Sequence, residues 1–302
     1  MTTVTIYHRT IPNHKSQEKI DLLKYFSQGV ACAGDTAVDC HTLDYSPTDV
    51  AVIQGWISNE TARPHLALRN TVIQQQIARH KHVVAVDSNL FLYANPANPL
   101  HYLRYSFNGV FPNTGTYCDT DPDPVRWQKI SRDLNISLRD YRTRGNHIVL
   151  LLQRNGGWSM GQFDVADWCN RTITQLRQHT DRPIVIRAHP GDKHARNYVS
   201  RVTGKNITLS TNADLVDDLK DSWAAVNHNS SPVVAAAIEG YPIFVTDPAK
   251  SQCAEIANTD LAQIENPLMP DRQKWVERLS MSHWKFGELR QGDTWRHMRR
   301  FI

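Results

Sequence analysis

Short apolar runs and amphipathic stretches alternate along most of this chain, and their spacing sets the element order. Val4-Thr5-Ile6-Tyr7 reads as a first strand, followed by a polar loop at 9–15. A helix is predicted over 16–26, with Ser16 as N-cap and Ile20, Leu22, Leu23 and Phe26 turned to the core. Residues 49–53 (DVAVI) form a buried-type strand that ends at the Gln54-Gly55-Trp56 turn. A helix over 66–79 leads to a strand over 82–86, which stops at Asp87-Ser88-Asn89. This β-α-β-α-β outline implies a parallel sheet with helices on both faces.

Residues 93–125 are rich in Pro, Asn, Gly and Asp and read as a long irregular loop carrying Phe107, Phe111 and Tyr117. The polar, arginine-rich stretch 127–144 places a domain boundary at 145/146. From His147 the pattern restarts, with strands at 148–152, 184–187, 207–209, 224–226 and 243–245. Helices are expected over 165–179 and 215–220, and another begins at Pro232. Two α/β units in tandem, 1–145 and 146–280, follow from this reading, with 281–302 as a terminal helical segment.

Composition keeps the chain in the ordinary globular class. Its 302 residues are 40% hydrophobic and 21% charged, and no run approaches the roughly 18 apolar residues of a membrane helix. The N-terminus has no secretory pattern, so a cytoplasmic location is expected. Five scattered cysteines without a C-x-x-C pair argue against a disulfide framework and against structural zinc. The formal charge of +4 is too mild to demand a nucleic-acid partner, although Arg290, Arg296, Arg299 and Arg300 make a basic ending.

The best-marked element is WAAVNHNSSPVVAAAIEGYPIFV, from Trp223 to Val245. Ser231 is an N-cap type, Pro232 suits the first helical position and Gly240 suits the residue past the end. The helix start then points to the carboxyl edge of a parallel sheet, where open α/β sheets bind ligands. Its free amides and the hydroxyls of Ser230 and Ser231 suit a phosphate or diphosphate. Glu239 is a candidate for a ribose. A well-capped helix with no ligand explains the same residues.

This pattern, preceded by Arg187, His189 and Pro190, resembles the donor-binding domain of GT-B glycosyltransferases, especially the capsular-polysaccharide, Kdo-transferase-like group. The resemblance spans about residues 148–250 and implies two Rossmann-like domains facing across a cleft. It also implies a terminal helix crossing back to the N-terminal domain; docking on its own domain is the alternative. By this resemblance Ser230, Ser231 and Glu239 hold a nucleotide-sugar, expected to be UDP-linked, with His228 and Asn229 beside them. Arg187 and His189, or Arg154 in the glycine-bearing loop, would neutralise the leaving phosphate in place of a metal.

Transfer to a hydroxyl needs a base, and the N-terminal half offers Asp87 at a strand end and His14 in the first loop. Lys15, Trp56, Phe111 and Tyr117 are the candidate acceptor contacts. The compact size and the Trp- and Arg-rich ending resemble glycosyltransferases of tailed bacteriophages. That implies double-stranded DNA bearing hydroxymethylated pyrimidines as acceptor, with the aromatic loop filling the place of an extruded base. The alternatives are a bacterial surface or capsular polysaccharide, a non-catalytic nucleotide- or polyanion-binding protein, and a sugar-nucleotide epimerase.

Overall fold

The structure is a computed structural model that describes residues 1–12, 17–58, 62–91, 98, 100–161 and 163–302. In chain order the first elements are β1 (Thr3–Tyr7), α1 (Gln17–Cys32), β2 (Thr36–Cys40), β3 (Val50–Gln54), α2 (Pro64–Ala78), β4 (His82–Asp87), β5 (Leu103–Phe107) and α3 (Pro124–Leu134). Next come β6 (His147–Leu151), α4 (Val165–Leu176), β7 (Ile184–Arg187), α5 (Ala195–Val199) and β8 (Ile207–Leu209). They are followed by α6 (Leu215–Leu219), β9 (Ser222–Asn227), α7 (Val233–Ile238) and β10 (Ile243–Val245). The chain closes with α8 (Gln273–Met281), β11 (His283–Trp284), α9 (Phe286–Gln291) and α10 (Asp293–Met298).

Two compact units result: residues 1–89, 97–133 and 276–302 form one, and 134–275 with 90–96 form the other. The division thus falls at 133/134 and not at the expected 145/146. The first part of the polar, arginine-rich stretch folds as α3, because Trp127, Ile130 and Leu134 recur at helical spacing and are buried. Among the described residues, no helix is long and apolar enough to cross a membrane.

The sheet of the first unit runs β11-β5-β4-β3-β1-β2. β1 to β4 are parallel, while β5 and β11 add an antiparallel edge that the sequence reading did not contain. Strict alternation sorts its core. Val50, Val52, Val84 and Val86 meet Leu22, Leu23, Phe26 and Val30 of α1 on one face. Ala51, Ile53 and Val83 meet Leu68, Val72 and Ile73 of α2 on the other. Each large apolar side chain buried this way contributes about 1.5–3 kcal/mol. Ile20, expected in the core, is 44% exposed. β2 escaped the reading because it is an edge strand with a largely exposed pattern. Ser16, the expected N-cap, lies outside the described residues.

The expected aromatic loop is instead part of this core. Phe107 ends β5, and Phe107, Phe111 and Tyr117 are all buried. The Tyr117 hydroxyl donates to the Val110 carbonyl at 2.6 Å. The C-terminal segment joins the same unit. α9 lies on α1 so closely that a Cβ at Gly29 would come within 2.0 Å of the Leu289 carbonyl oxygen. The Trp295 indole donates to Asp35 at 2.9 Å. Arg126 of α3 meets Glu288 of α9 in a bidentate pair at 2.6 and 2.9 Å, with both side chains under a tenth exposed.

The second unit has one wholly parallel sheet, β10-β9-β6-β7-β8. Ile148, Leu150, Ile186, Ala224 and Val226 pack on α4 through Val165, Trp168, Cys169 and Ile173. The strand order reverses beside β6: the chain moves through β7 and β8 on one side, then β9 and β10 on the other. The carboxyl ends of β6 and β9 therefore flank the topological switch point.

Candidate functional site

Loops leaving β6, β7, β9 and β10 meet at the carboxyl edge of the second sheet, and their polar residues interlock. Gln153, two residues past β6, donates to Asn229 Oδ1 at 2.5 Å and to Ser159 Oγ at 3.0 Å. Asn229, two residues past β9, donates in turn to Asp247 Oδ2 at 2.9 Å and to the Ser159 carbonyl at 3.1 Å. The two switch-point strands are thus bridged by side chains just where they diverge. Gln153 Oε1 is enclosed and finds no donor among the described residues.

His228 is held from both ends. Trp168 donates to Thr246 Oγ1 at 2.9 Å, which leaves the threonine proton for His228 Nδ1 at 2.8 Å. The proton on Nε2 then faces Asp247 Oδ2, 3.8 Å away. Burial holds this imidazole below the ordinary histidine range, against the pull of Asp247 and with help from Lys250 and Arg171. It is a neutral, oriented group near pH 7.

Ser230 and Ser231 follow directly. Neither their hydroxyls nor their backbone N–H groups find a protein acceptor among the described residues; Ser231 is half-buried and Ser230 mostly buried. The helix they lead into has six residues, with Pro232 at its N-cap. The N–H groups of Val233, Val234 and Ala235 are engaged by the carbonyls of Ser230, Ser231 and Pro232 at 3.0–3.3 Å. Donors for an anion here are therefore the serines themselves and not the first helical turn.

Beyond β7, Arg154 reaches from the first loop to donate to the Gly191 carbonyl at 2.9 Å. Gly191 allows that approach, since a Cβ there would come within 2.7 Å of Arg154 Nη2. His189 Nδ1 accepts from the Gly191 N–H at 3.0 Å, so the neutral ring carries its proton on Nε2. Burial, then the Arg154 charge, pushes the His189 imidazole down. An exposed guanidinium and an imidazole N–H donor thus share one loop pair, a combination suited to phosphate oxygens.

Other expected residues lie elsewhere. Arg187 is committed to structure: it pairs with the buried Asp218 at 2.5 Å and donates to the carbonyls of Asn212, Ala213 and Asp214. Glu239 caps the far end of α7, eight positions from Ser231, or about 12 Å at the α-helical rise. There it sits 3.8 Å from Arg142, away from the sheet edge that gathers the serines. His14 and Lys15 lie outside the described residues.

In the first unit, Asp87 ends β4, as expected, but Arg104 holds its Oδ2 at 2.7 Å and the Ser88 N–H holds Oδ1 at 2.8 Å. Its side chain is 31% exposed, against 3% for Arg104. Trp56 is half-buried against the α2 side of that core. Phe111 and Tyr117, as buried core residues, do not present an acceptor surface. Gln153, Thr246 and Asp247 were missed; the signal that identifies them is a polar residue just past an apolar parallel strand.

No protein-family model matches this chain, and no curated protein matches it in sequence. Among solved structures it is similar to the β-Kdo 2,7-transferase of Thermosulfurimonas dismutans KpsC, at a TM-score of 0.56 and 12% identity over 95% of this chain and 96% of that one. The β-Kdo 2,4-transferase of the same KpsC matches at a TM-score of 0.51 and 13% identity, over 87% and 89% of the respective chains. At such identities the likeness is one of architecture, and in architecture this chain shares the GT-B fold of the Kdo transferases.

Proposed function

We propose that this chain is a glycosyltransferase that moves a sugar from a nucleotide-sugar donor to a hydroxyl of a bacterial surface or capsular saccharide. The observation that carries the reading is a set of oriented polar groups at the switch point of the second sheet: Ser230 and Ser231, whose hydroxyls and N–H groups find no protein acceptor among the described residues, beside His228 and the Asn229 that is bridged to Gln153. The Kdo-transferase architecture supports it.

In this reading the donor phosphate lies against Ser230 and Ser231, with Arg154 and the His189 Nε2–H on its outer oxygens. The acceptor oxygen bonds to the anomeric carbon as the bond from that carbon to the phosphate oxygen breaks. The electron pair leaves on the phosphate, where Arg154 offsets the growing charge without a metal. Asp87 takes the acceptor proton. Its two hydrogen bonds leave further lone-pair sites on the carboxylate, and its pairing with Arg104 fixes its aim.

A saccharide is preferred to hydroxymethylated DNA because the features that favoured DNA are otherwise employed. The aromatic residues are core. Arg296 and Arg299 donate to the carbonyls of Cys32 and Ala33 and pair with Asp293 and Asp35, Arg300 binds His297, and Arg290 covers the Tyr25 ring.

The test is calorimetry with UDP, UDP-sugars and CMP, with and without EDTA. Binding that survives EDTA and weakens about tenfold in Asn229→Ala supports the site. No binding of any nucleotide by a folded protein removes the transferase reading.

A further inference from the structure

Buried charge without a counter-charge is costly, and the first unit contains one such group that the proposed transfer chemistry does not use. Arg69, on α2, is only 9% exposed. Its Nε donates to the Thr10 carbonyl at 2.8 Å and its Nη2 to Gln54 Oε1 at 2.7 Å. Both acceptors are neutral, and no carboxylate among the described residues lies within ion-pair distance of it. Asp87 acts on it only through its more distant field, and burial pulls the guanidinium down to about 10, which still leaves it charged at neutral pH.

The place is informative. The first sheet reverses its strand order between β1 and β3, so the loops after Tyr7 and Gln54 flank its switch point. Arg69 ties those two loops together, because Thr10 belongs to one and Gln54 opens the other. Thr10 Oγ1 reinforces the tie by accepting from the Gln54 N–H at 3.3 Å.

Its third nitrogen, Nη1, has no acceptor among the described residues, yet it is not sealed from solvent. Beside it is Gly55, at φ +75°, where a Cβ would come within 2.9 Å of Nη1. A pin between neutral oxygens needs two hydrogen bonds and no charge. A fixed guanidinium with one free edge, at a ligand-binding position and cleared by a glycine, is the arrangement that recognises an oxyanion.

We propose that Arg69 is an anion-binding residue that reads a carboxylate or phosphate on the acceptor. The acceptor is accordingly an acidic saccharide. That the anion belongs to the acceptor rests on the transferase reading; the anion site itself does not.

The experiment labels arginine with ¹⁵N and follows the guanidinium signals of Arg69, assigned with Arg69→Lys. Three probes are titrated: methyl glucuronide, inorganic phosphate and the neutral methyl glucoside. The signals are expected to move with at least one anion and to stay still with the glucoside. Response to the glucuronide alone identifies a sugar acid, and response to phosphate alone a phosphorylated sugar. In Gly55→Ala, which crowds Nη1 and strains the turn beside Gln54, anion affinity should fall at least tenfold, the scale of one charge-assisted contact.

Silence of Arg69 toward both anions, or equal response to the glucoside, overturns the proposal. The wild-type titration decides this even if a variant fails to fold. A parallel UDP titration separates the two readings. UDP binding with Arg69 silent removes this site alone, and an Arg69 response without nucleotide binding removes the transferase assignment while leaving the anion site.

Discussion

Replacing Arg126 by methionine should destabilise the first unit by roughly 3–5 kcal/mol, the usual cost of removing one partner from a buried ion pair. The magnitude follows from what the change leaves behind. Glu288, 8% exposed, keeps only Lys129 and the Lys285 N–H. Arg126 also covers the Trp284 ring at 3.8 Å and donates to the His283 carbonyl, so its loss opens the packing too. The Glu288 carboxyl points the same way. Burial alone would raise the Glu288 carboxyl, but the hydrogen bonds and charge of Arg126, then Lys129, hold it at about 2 against an ordinary 4.5. At about 1.4 kcal/mol per unit, that difference corresponds to about 3 kcal/mol for all of these partners together, net of burial.

The sign is fixed by the depressed value. This stability is present above about pH 4.5 and is lost as the pH falls toward 2. Hydrogen exchange of the α1 and α9 amides measures the loss locally, without requiring the whole chain to unfold in two states. The double variant Arg126→Met with Glu288→Leu should recover much of it, since no buried charge is then stranded. A loss below about 1 kcal/mol in Arg126→Met would refute the reasoning, as would a double variant as unstable as the summed single changes.

Three further outcomes are expected. Asn229→Ala should weaken UDP binding about tenfold and lower the melting temperature by several degrees, because it removes three hydrogen bonds of a buried side chain at the sheet edge but little apolar burial; calorimetry and a thermal melt check both. Asp87→Asn should bind donor normally and lose transfer by 10²–10⁴-fold, roughly the value of a general base, and wild-type turnover would return attention to His14. Stability should also fall below about pH 6.5, because burial drives the fully enclosed His283 imidazole down to about 3 while the unfolded chain takes up the proton. About 2 kcal/mol should be gone by pH 5, and urea titrations in which His283→Gln keeps the same pH slope would contradict this.

Strong apolar runs made both sheets legible in the sequence. The strands from Ile184 and Ile243 were read with their true limits, because a continuous buried run bounded by polar residues has one interpretation. Elements that depend on partners were not legible. β2 is an exposed edge, and β5 gains its pairing from β4 and β11. α3 was not legible as a helix because its few large apolar residues are diluted by charges.

The site divided along the same line. His228, Asn229, Ser230 and Ser231 lie together because they are consecutive after one strand. Arg187 and Glu239 also stand at element ends, but partners far along the chain, Asp218 and Arg142, decide what they do. Gln153 and Asp247 acquire their place only when separate strand ends are brought side by side.

The docking of α9 and α10 on α1 has a consequence for synthesis on the ribosome. Asp35 and Trp295 are 260 positions apart, so the first unit emerges early without the helices that cover Phe26 and Leu23. The second unit, nearly continuous in the chain, can complete its fold while the first still waits. Closing so long a loop is slow, and a nascent chain halted before residue 276 leaves an apolar face of α1 open to chaperones or to another nascent copy.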